Sequence, residues 1–150
     1  MSIIKTVHGQ TPSFGNNVFL ADNSVVIGEV SMGDDCSVWF NAVIRGDVNF
    51  IKIGDRVNIQ DWAVIHCTYE KSGTTIGNDV SIGHSAIVHG CTIHDKALIG
   101  MGAIVMECRG AYKLPGGCRS CRTRKYHPGI RVYLCRGSRK KSKGTIKRKL

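Results

Sequence analysis

Three histidines near the middle of this 150-residue chain could do chemistry together: His66, His84 and His89. Neutral imidazole is the commonest metal ligand. Three imidazoles on one zinc ion leave a coordination position open, and zinc can bring the pKa of a water bound there to about 7. Whether the three histidines can meet depends on the elements that carry them.

Those elements are set by a repeat. An aliphatic residue returns every sixth position, in groups of three: Met32, Val38 and Ile44; Ile53, Ile59 and Ile65; Ile76, Ile82 and Val88; Ile93, Ile99 and Val105. A small residue often follows the beat, as at Gly33, Gly54, Gly77, Gly83 and Gly100. A helical stripe would need apolar steps of three and four, and a hairpin strand would alternate without interruption. A six-residue beat in threes describes short strands wound into a triangular prism, each coil burying its apolar positions on its neighbours. The expected class is all-β. Extra residues near Gly46–Asn49, and again between Ile65 and Ile76, are expected to form insertions, and insertions in solenoids often border a site.

The beat also compares positions between coils. His66 follows Ile65 and His89 follows Val88, each the third beat of its coil, so the two should stack about 4.8 Å apart at the backbone. Arg45 follows Ile44 and falls in the same column. His84 stands two residues after Ile82, in a column with Asp61 on another side of the prism. Within one chain it should point away from the His66/His89 pair. A three-histidine site then needs His84 from a neighbouring copy, and a three-sided prism suits a ring of three. His8 and His94 are read as surface histidines, and Glu70 as a solvated loop charge.

Arg45-Gly46-Asp47, Asn58-Ile59-Gln60-Asp61, His66, Gly83-His84 and His89-Gly90-Cys91-Thr92-Ile93 together resemble the γ-class carbonic anhydrase family of hexapeptide-repeat proteins, over about residues 18–106. The resemblance implies a left-handed parallel β-helix and a homotrimer. It implies one zinc ion per site, with iron or cobalt as other candidates, held by His66 and His89 of one chain and His84 of the next. It further implies reversible hydration of carbon dioxide to bicarbonate. Gln60 would orient the attacking group or the substrate, and Arg45, Asp47 and Asp61 would form a polar network between subunits. An alternative for those three is that they only hold the trimer together. An alternative function on the same scaffold is acyl transfer or thioester cleavage.

Composition divides the chain near Met106. Residues 1–106 carry a balance of −4 and residues 107–150 a balance of +14, so the net charge of +10 describes neither part. We expect a β-helix domain over 1–106 with a lead-in segment, and a basic Cys/Arg-rich tail over 107–150 that is irregular or disordered. Cys118, Cys121, His127 and Cys135 could make a zinc ribbon on a nucleic-acid-binding tail. Codon arithmetic favours another origin. Read one base later, Gly116 to His127 permits Val-Ala-Ala-Gly-Ala-Val-Val-Leu-Glu-Asn-Thr-Ile, which resembles a further coil of the same family. The tail is therefore read as an out-of-frame translation, and nucleic acid is not expected as a partner. Met1–Gln10 has no signal-peptide pattern and no apolar run approaches 18 residues, so neither a membrane nor an oxidising compartment is expected, and a cytoplasmic location is.

Overall fold

A chain with an aliphatic residue at every sixth position must bury that residue and then turn, and the computed structural model shows both. The structure describes residues 1–106 in full, and beyond them the backbone of Cys121–His127 and Ile130–Cys135. In chain order the strands are β1 (Ile3–Lys5), β2 (Ser13–Phe14), β3 (Phe19–Leu20), β4 (Val25–Met32), β5 (Ser37–Val38), β6 (Val43–Ile53), β7 (Asn58–Ile59) and β8 (Val64–His66). They continue as β9 (Thr74–Ile76), β10 (Ser81–Ile82), β11 (Ile87–His89), β12 (Thr92–Ile93), β13 (Ala97–Ile99), β14 (Ile104–Met106), β15 (Cys121–His127) and β16 (Ile130–Cys135).

The parallel pairing resolves into three faces. On the first, β3, β5, β7, β10 and β13 stack in register. The second stacks β1, the first half of β4, the first half of β6, then β8, β11 and β14. The third stacks β2, the second halves of β4 and β6, then β9 and β12. The expected parallel β-solenoid is the architecture found.

The beat residues are its core. Val38, Ile59, Ile82 and Ile99 line the first face, Val26, Ile44, Ile65, Val88 and Val105 the second, and Met32, Ile53, Ile76 and Ile93 the third, all buried. Each such side chain contributes about 1.5–3 kcal/mol by leaving water. The corners need backbone in the left-handed region, which Asn17, Asn23, Asp35, Asn41, Asp79 and Ser85 supply. Corner amides find acceptors in a ladder of side chains: Asp34 accepts from Asn16 N at 2.7 Å, Asp55 from Asp34 N at 3.0 Å, Asn78 from Asp55 N at 2.8 Å and Asp95 from Asn78 N at 2.8 Å. Turn amides that would otherwise lack partners are thus satisfied coil by coil.

Both insertions interrupt this regularity beside the second face. Between β4 and β6 the register shifts: Gly28 pairs with Gly46, but Val30 pairs with Ile51, so Asp47 to Phe50 bulge outward opposite Glu29. The second insertion is a tight loop, closed by Thr68 N to Ser72 O at 2.9 Å and Ser72 N to Thr68 O at 3.3 Å.

The segment expected to be irregular contributes two strands. β15 and β16 pair antiparallel, and β16 joins the first face in parallel beside β13. An open sheet edge presents unpaired N–H and C=O groups and accepts any strand that reaches it, so this edge of the last coil is paired by a segment expected to be irregular. The rest of 107–150 lies outside the described residues, as do the side chains of the suggested ribbon, Cys118, Cys121, His127 and Cys135. Among the described residues no helix is long and apolar enough to cross a membrane.

Candidate metal centre

A strand residue next to a buried one points outward, so the residues after Ile44, Ile65 and Val88 form an outward column on the second face. Pairing sets their register: His89 lies opposite His66, and Ile44 opposite Ile65 puts Arg45 one coil before His66. The two imidazole rings have centroids 5.0 Å apart and planes inclined at 66°. His66 Nδ1 stands 3.2 Å from His89 Nε2.

The neighbours of each ring decide what that contact can be. His66 Nε2 donates to Asp47 Oδ1 at 3.0 Å, because a carboxylate can only accept. A neutral His66 then carries its lone pair on Nδ1, aimed at His89. His89 Nδ1 lies 3.4 Å from Thr68 Oγ1, a hydroxyl that can donate to it. Across 3.2 Å a neutral pair makes one hydrogen bond, His89 Nε2 donating to His66 Nδ1. Two nitrogens bound to one tetrahedral zinc at 2.0–2.1 Å would stand about 3.3 Å apart, so the pair fits a metal.

Asp47 reaches His66 because the bulge in β6 carries it outward, and Arg45 fixes its other oxygen, Nη1 to Oδ2 at 2.6 Å. Partial burial would push the Asp47 carboxyl up, but the hydrogen bonds from His66 and Arg45 outweigh it and hold the group below its ordinary value. Asp47 therefore stays ionised as the acceptor that fixes the His66 tautomer, the usual role of a carboxylate behind a metal-binding histidine. The polar line runs Arg45, Asp47, His66, His89, Thr68 within one chain.

His84 is elsewhere, as its column required. It stands at the corner leading into the second face, while His66 and His89 stand at that face's far end. Its Nδ1 lies 2.9 Å from Asp61 Oδ2. Gln60, half-buried, precedes Asp61 at the same corner. Within one chain Asp61 thus stands with His84, apart from Arg45 and Asp47, and each of the two histidine positions has its own carboxylate. Among the described residues of a single chain no set of three or more His, Cys, Asp or Glu side chains converges on a metal. The His84 corner is also apolar: Trp39, Phe40, Trp62 and Met101 are 38%, 45%, 64% and 72% exposed, enough for a surface that water alone would not favour.

Sequence reasoning missed Thr74. It is fully buried, and its hydroxyl donates to the His66 carbonyl at 2.5 Å and accepts from Gly90 N at 2.9 Å. The signal was a polar break in a column that otherwise reads Val30, Ile51 and, one coil beyond, Cys91. Of the residues read as superficial, His8 and Glu70 are exposed, while His94 is half-buried.

With this geometry the likenesses to other proteins gain meaning. The family model for the bacterial transferase hexapeptide (six repeats) matches residues 11–46. Protein YrdA of Escherichia coli is 45% identical over 102 residues, covering 64% of this chain and 55% of that protein. A protein named "Probable carbonic anhydrase" in Methanocaldococcus jannaschii is 53% identical over 89 residues, covering 59% of this chain and 55% of that one. The chain thus spans about half the length of these curated relatives. A solved hexapeptide transferase family protein from Anaplasma phagocytophilum superposes with a TM-score of 0.61 at 31% identity, covering 72% of this chain and 76% of that one. The six-residue beat, the three-faced parallel coil and these likenesses agree: the chain belongs to the hexapeptide-repeat family and, within it, is similar to proteins named gamma carbonic anhydrase in Arabidopsis thaliana, 40–42% identical to it.

Proposed function

We propose that this chain is a γ-class carbonic anhydrase-like metalloprotein that interconverts carbon dioxide and bicarbonate at a site shared between copies of itself in a homotrimer. The observation that carries this reading is the His66 Nδ1 to His89 Nε2 contact of 3.2 Å, with Asp47 fixing which nitrogen of His66 is bare. His66 and His89 would hold the metal from one copy and His84 from the next, with zinc as the ion its nitrogen donors suit and iron or cobalt as alternatives. A bound divalent ion supplies Lewis acidity that makes water a nucleophile at neutral pH. Asp47 holds His66 in the binding tautomer, Asp61 does the same for His84, and Arg45 keeps Asp47 in place. Gln60, one residue before Asp61, offers an amide that can orient carbon dioxide or the attacking oxygen. The exposed apolar corner around His84 supports a shared site, because a second copy would cover it.

Metal analysis together with solution mass tests this reading. About one metal per chain in a trimer is expected, lost in His84→Ala. Mixing His84→Ala chains with His66→Ala chains should restore part of it, since a site can then draw intact ligands from each. A metal-free monomer overturns the proposal. A second reading, acyl transfer with His84 as general base oriented by Asp61, rests on that 2.9 Å contact and on the hexapeptide transferase likeness. It predicts acyl-group chemistry that survives metal removal.

A further inference from the structure

The two histidine-bearing strands part company immediately after the pair. From His66 the chain leaves the coil into the Thr68–Ser72 loop, whereas from His89 it turns at Gly90 into β12. The parallel ladder pairs His66 with His89 and gives Gly90 N to the His66 carbonyl, and beyond that point the strand ends diverge. One side chain ties them further. Thr74 Oγ1 donates to the His66 carbonyl at 2.5 Å and accepts from Gly90 N at 2.9 Å, and Gly90 N also lies 3.1 Å from the His66 carbonyl. Three groups close a small hydrogen-bonded ring directly behind both imidazoles.

We infer that Thr74 is a positioning residue for the histidine pair, its hydroxyl clamping the backbone of His66 to the amide that follows His89 so that the two rings keep the separation one metal ion requires. Thr74 touches neither ring and no reacting atom. Its position is otherwise built for an apolar side chain: the equivalent sites in neighbouring coils hold Ile51 and Cys91. A buried hydroxyl costs stability unless it is paired, and here it is paired on both sides, to the strands that carry the ligands. Thr68 assists from the loop, with Oγ1 3.4 Å from His89 Nδ1. The inference rests on the metal reading for its use, though the clamp itself needs no metal.

The test therefore has a metal-free arm and a metal arm, both on the full chain. In the metal-free protein, long-range proton–nitrogen NMR of the imidazoles should show one tautomer for His66 and for His89. Thr74→Val, close in shape but without the hydroxyl, should give averaged ring shifts, and Thr74→Ser should restore the native pattern. In the second arm cobalt(II) is titrated and followed by its visible absorption. Thr74→Val should bind about 10-fold more weakly or worse, the lower end for residues that orient metal ligands, with an altered band envelope, and Thr74→Ser should stay close to the parent protein. Should Thr74→Val fail to fold, Thr74→Cys replaces it, keeping the size and weakening the hydrogen bond. Unchanged ring shifts in a folded hydroxyl-free variant overturn the inference whatever the metal does. A parent protein that binds no cobalt while Thr74→Val still scrambles the rings refutes the metal reading alone.

Discussion

His66 shows how much one side chain's neighbours can decide. Its ring could take either tautomer, and the sequence says only that it stacks with His89; the Asp47 carboxylate at 3.0 Å chooses. The cysteines illustrate the opposite case, reactive groups made inert by their surroundings. Cys36 and Cys67 are buried in the coil, where Cys36 Sγ donates to Gly54 O at 3.1 Å and Cys67 Sγ to Asn49 O at 3.1 Å. Burial pushes both thiols above their ordinary value, despite hydrogen bonds from backbone amides that pull the other way. A raised folded value means that the unfolded chain loses these protons first as pH rises. The stabilisation is complete below the ordinary thiol value of about 8.5 and disappears as pH climbs through the folded one. Denaturant midpoints measured from pH 7 to pH 10 should therefore fall more steeply for the native chain than for Cys36→Ala/Cys67→Ala. Parallel profiles would show that the thiols are not what titrates.

Among the elements, the long strands β4 and β6 matter most to the site, because the bulge between them delivers Asp47. Gly28 makes that bulge possible. Its φ is +78°, and an added Cβ would lie 2.2 Å from the Gly46 carbonyl oxygen, a backbone atom that cannot swing away. Gly102 is a useful control, with φ +66° and nothing within 4 Å of an added Cβ. Gly102→Ala should cost only the left-handed backbone penalty, about 1–2 kcal/mol. Gly28→Ala adds the clash and should cost clearly more, with metal affinity falling as Asp47 shifts; equal losses in urea unfolding would refute the distinction. The same elements explain what was legible beforehand. Parallel coils in register place every sixth residue over its counterpart, so the Arg45, His66, His89 column and the separate Asp61, His84 column follow from counting alone. Insertions escape that rule. The contact of Asp47 with His66 could not be counted, because the chain leaves the lattice to make it; Thr74 is on the lattice, in register with Ile51, and only the reach of its hydroxyl to the His66 carbonyl was hidden.

At the scale of the whole molecule, two surfaces point outward from the coil. One is the apolar corner of Trp39, Phe40, Trp62 and Met101, where Trp62 holds φ +62°, an unfavourable setting for a bulky residue. The corner turn demands this conformation, as Asn41 and Ser85 hold it in the neighbouring coils, so what sets Trp62 apart is a large apolar side chain left exposed where a short polar one would serve. The other surface is the growing end of the solenoid, where β14 completes the last full coil and the composition changes from a balance of −4 to one of +14. A repeat stacks because each coil offers the next an apolar face, and residues 107–150 offer arginines, lysines and cysteines in its place. We propose that they are an out-of-frame reading of a further coil. Pairing of β16 with β13 is compatible with that origin, since an open edge selects strands by backbone and not by side chain. The gene decides the matter: from about codon 106, the frame one base later should restore aliphatic residues at six-residue spacing. A shifted frame without that beat, together with a second zinc per chain that Cys118→Ser removes, would establish the zinc ribbon and refute the frameshift.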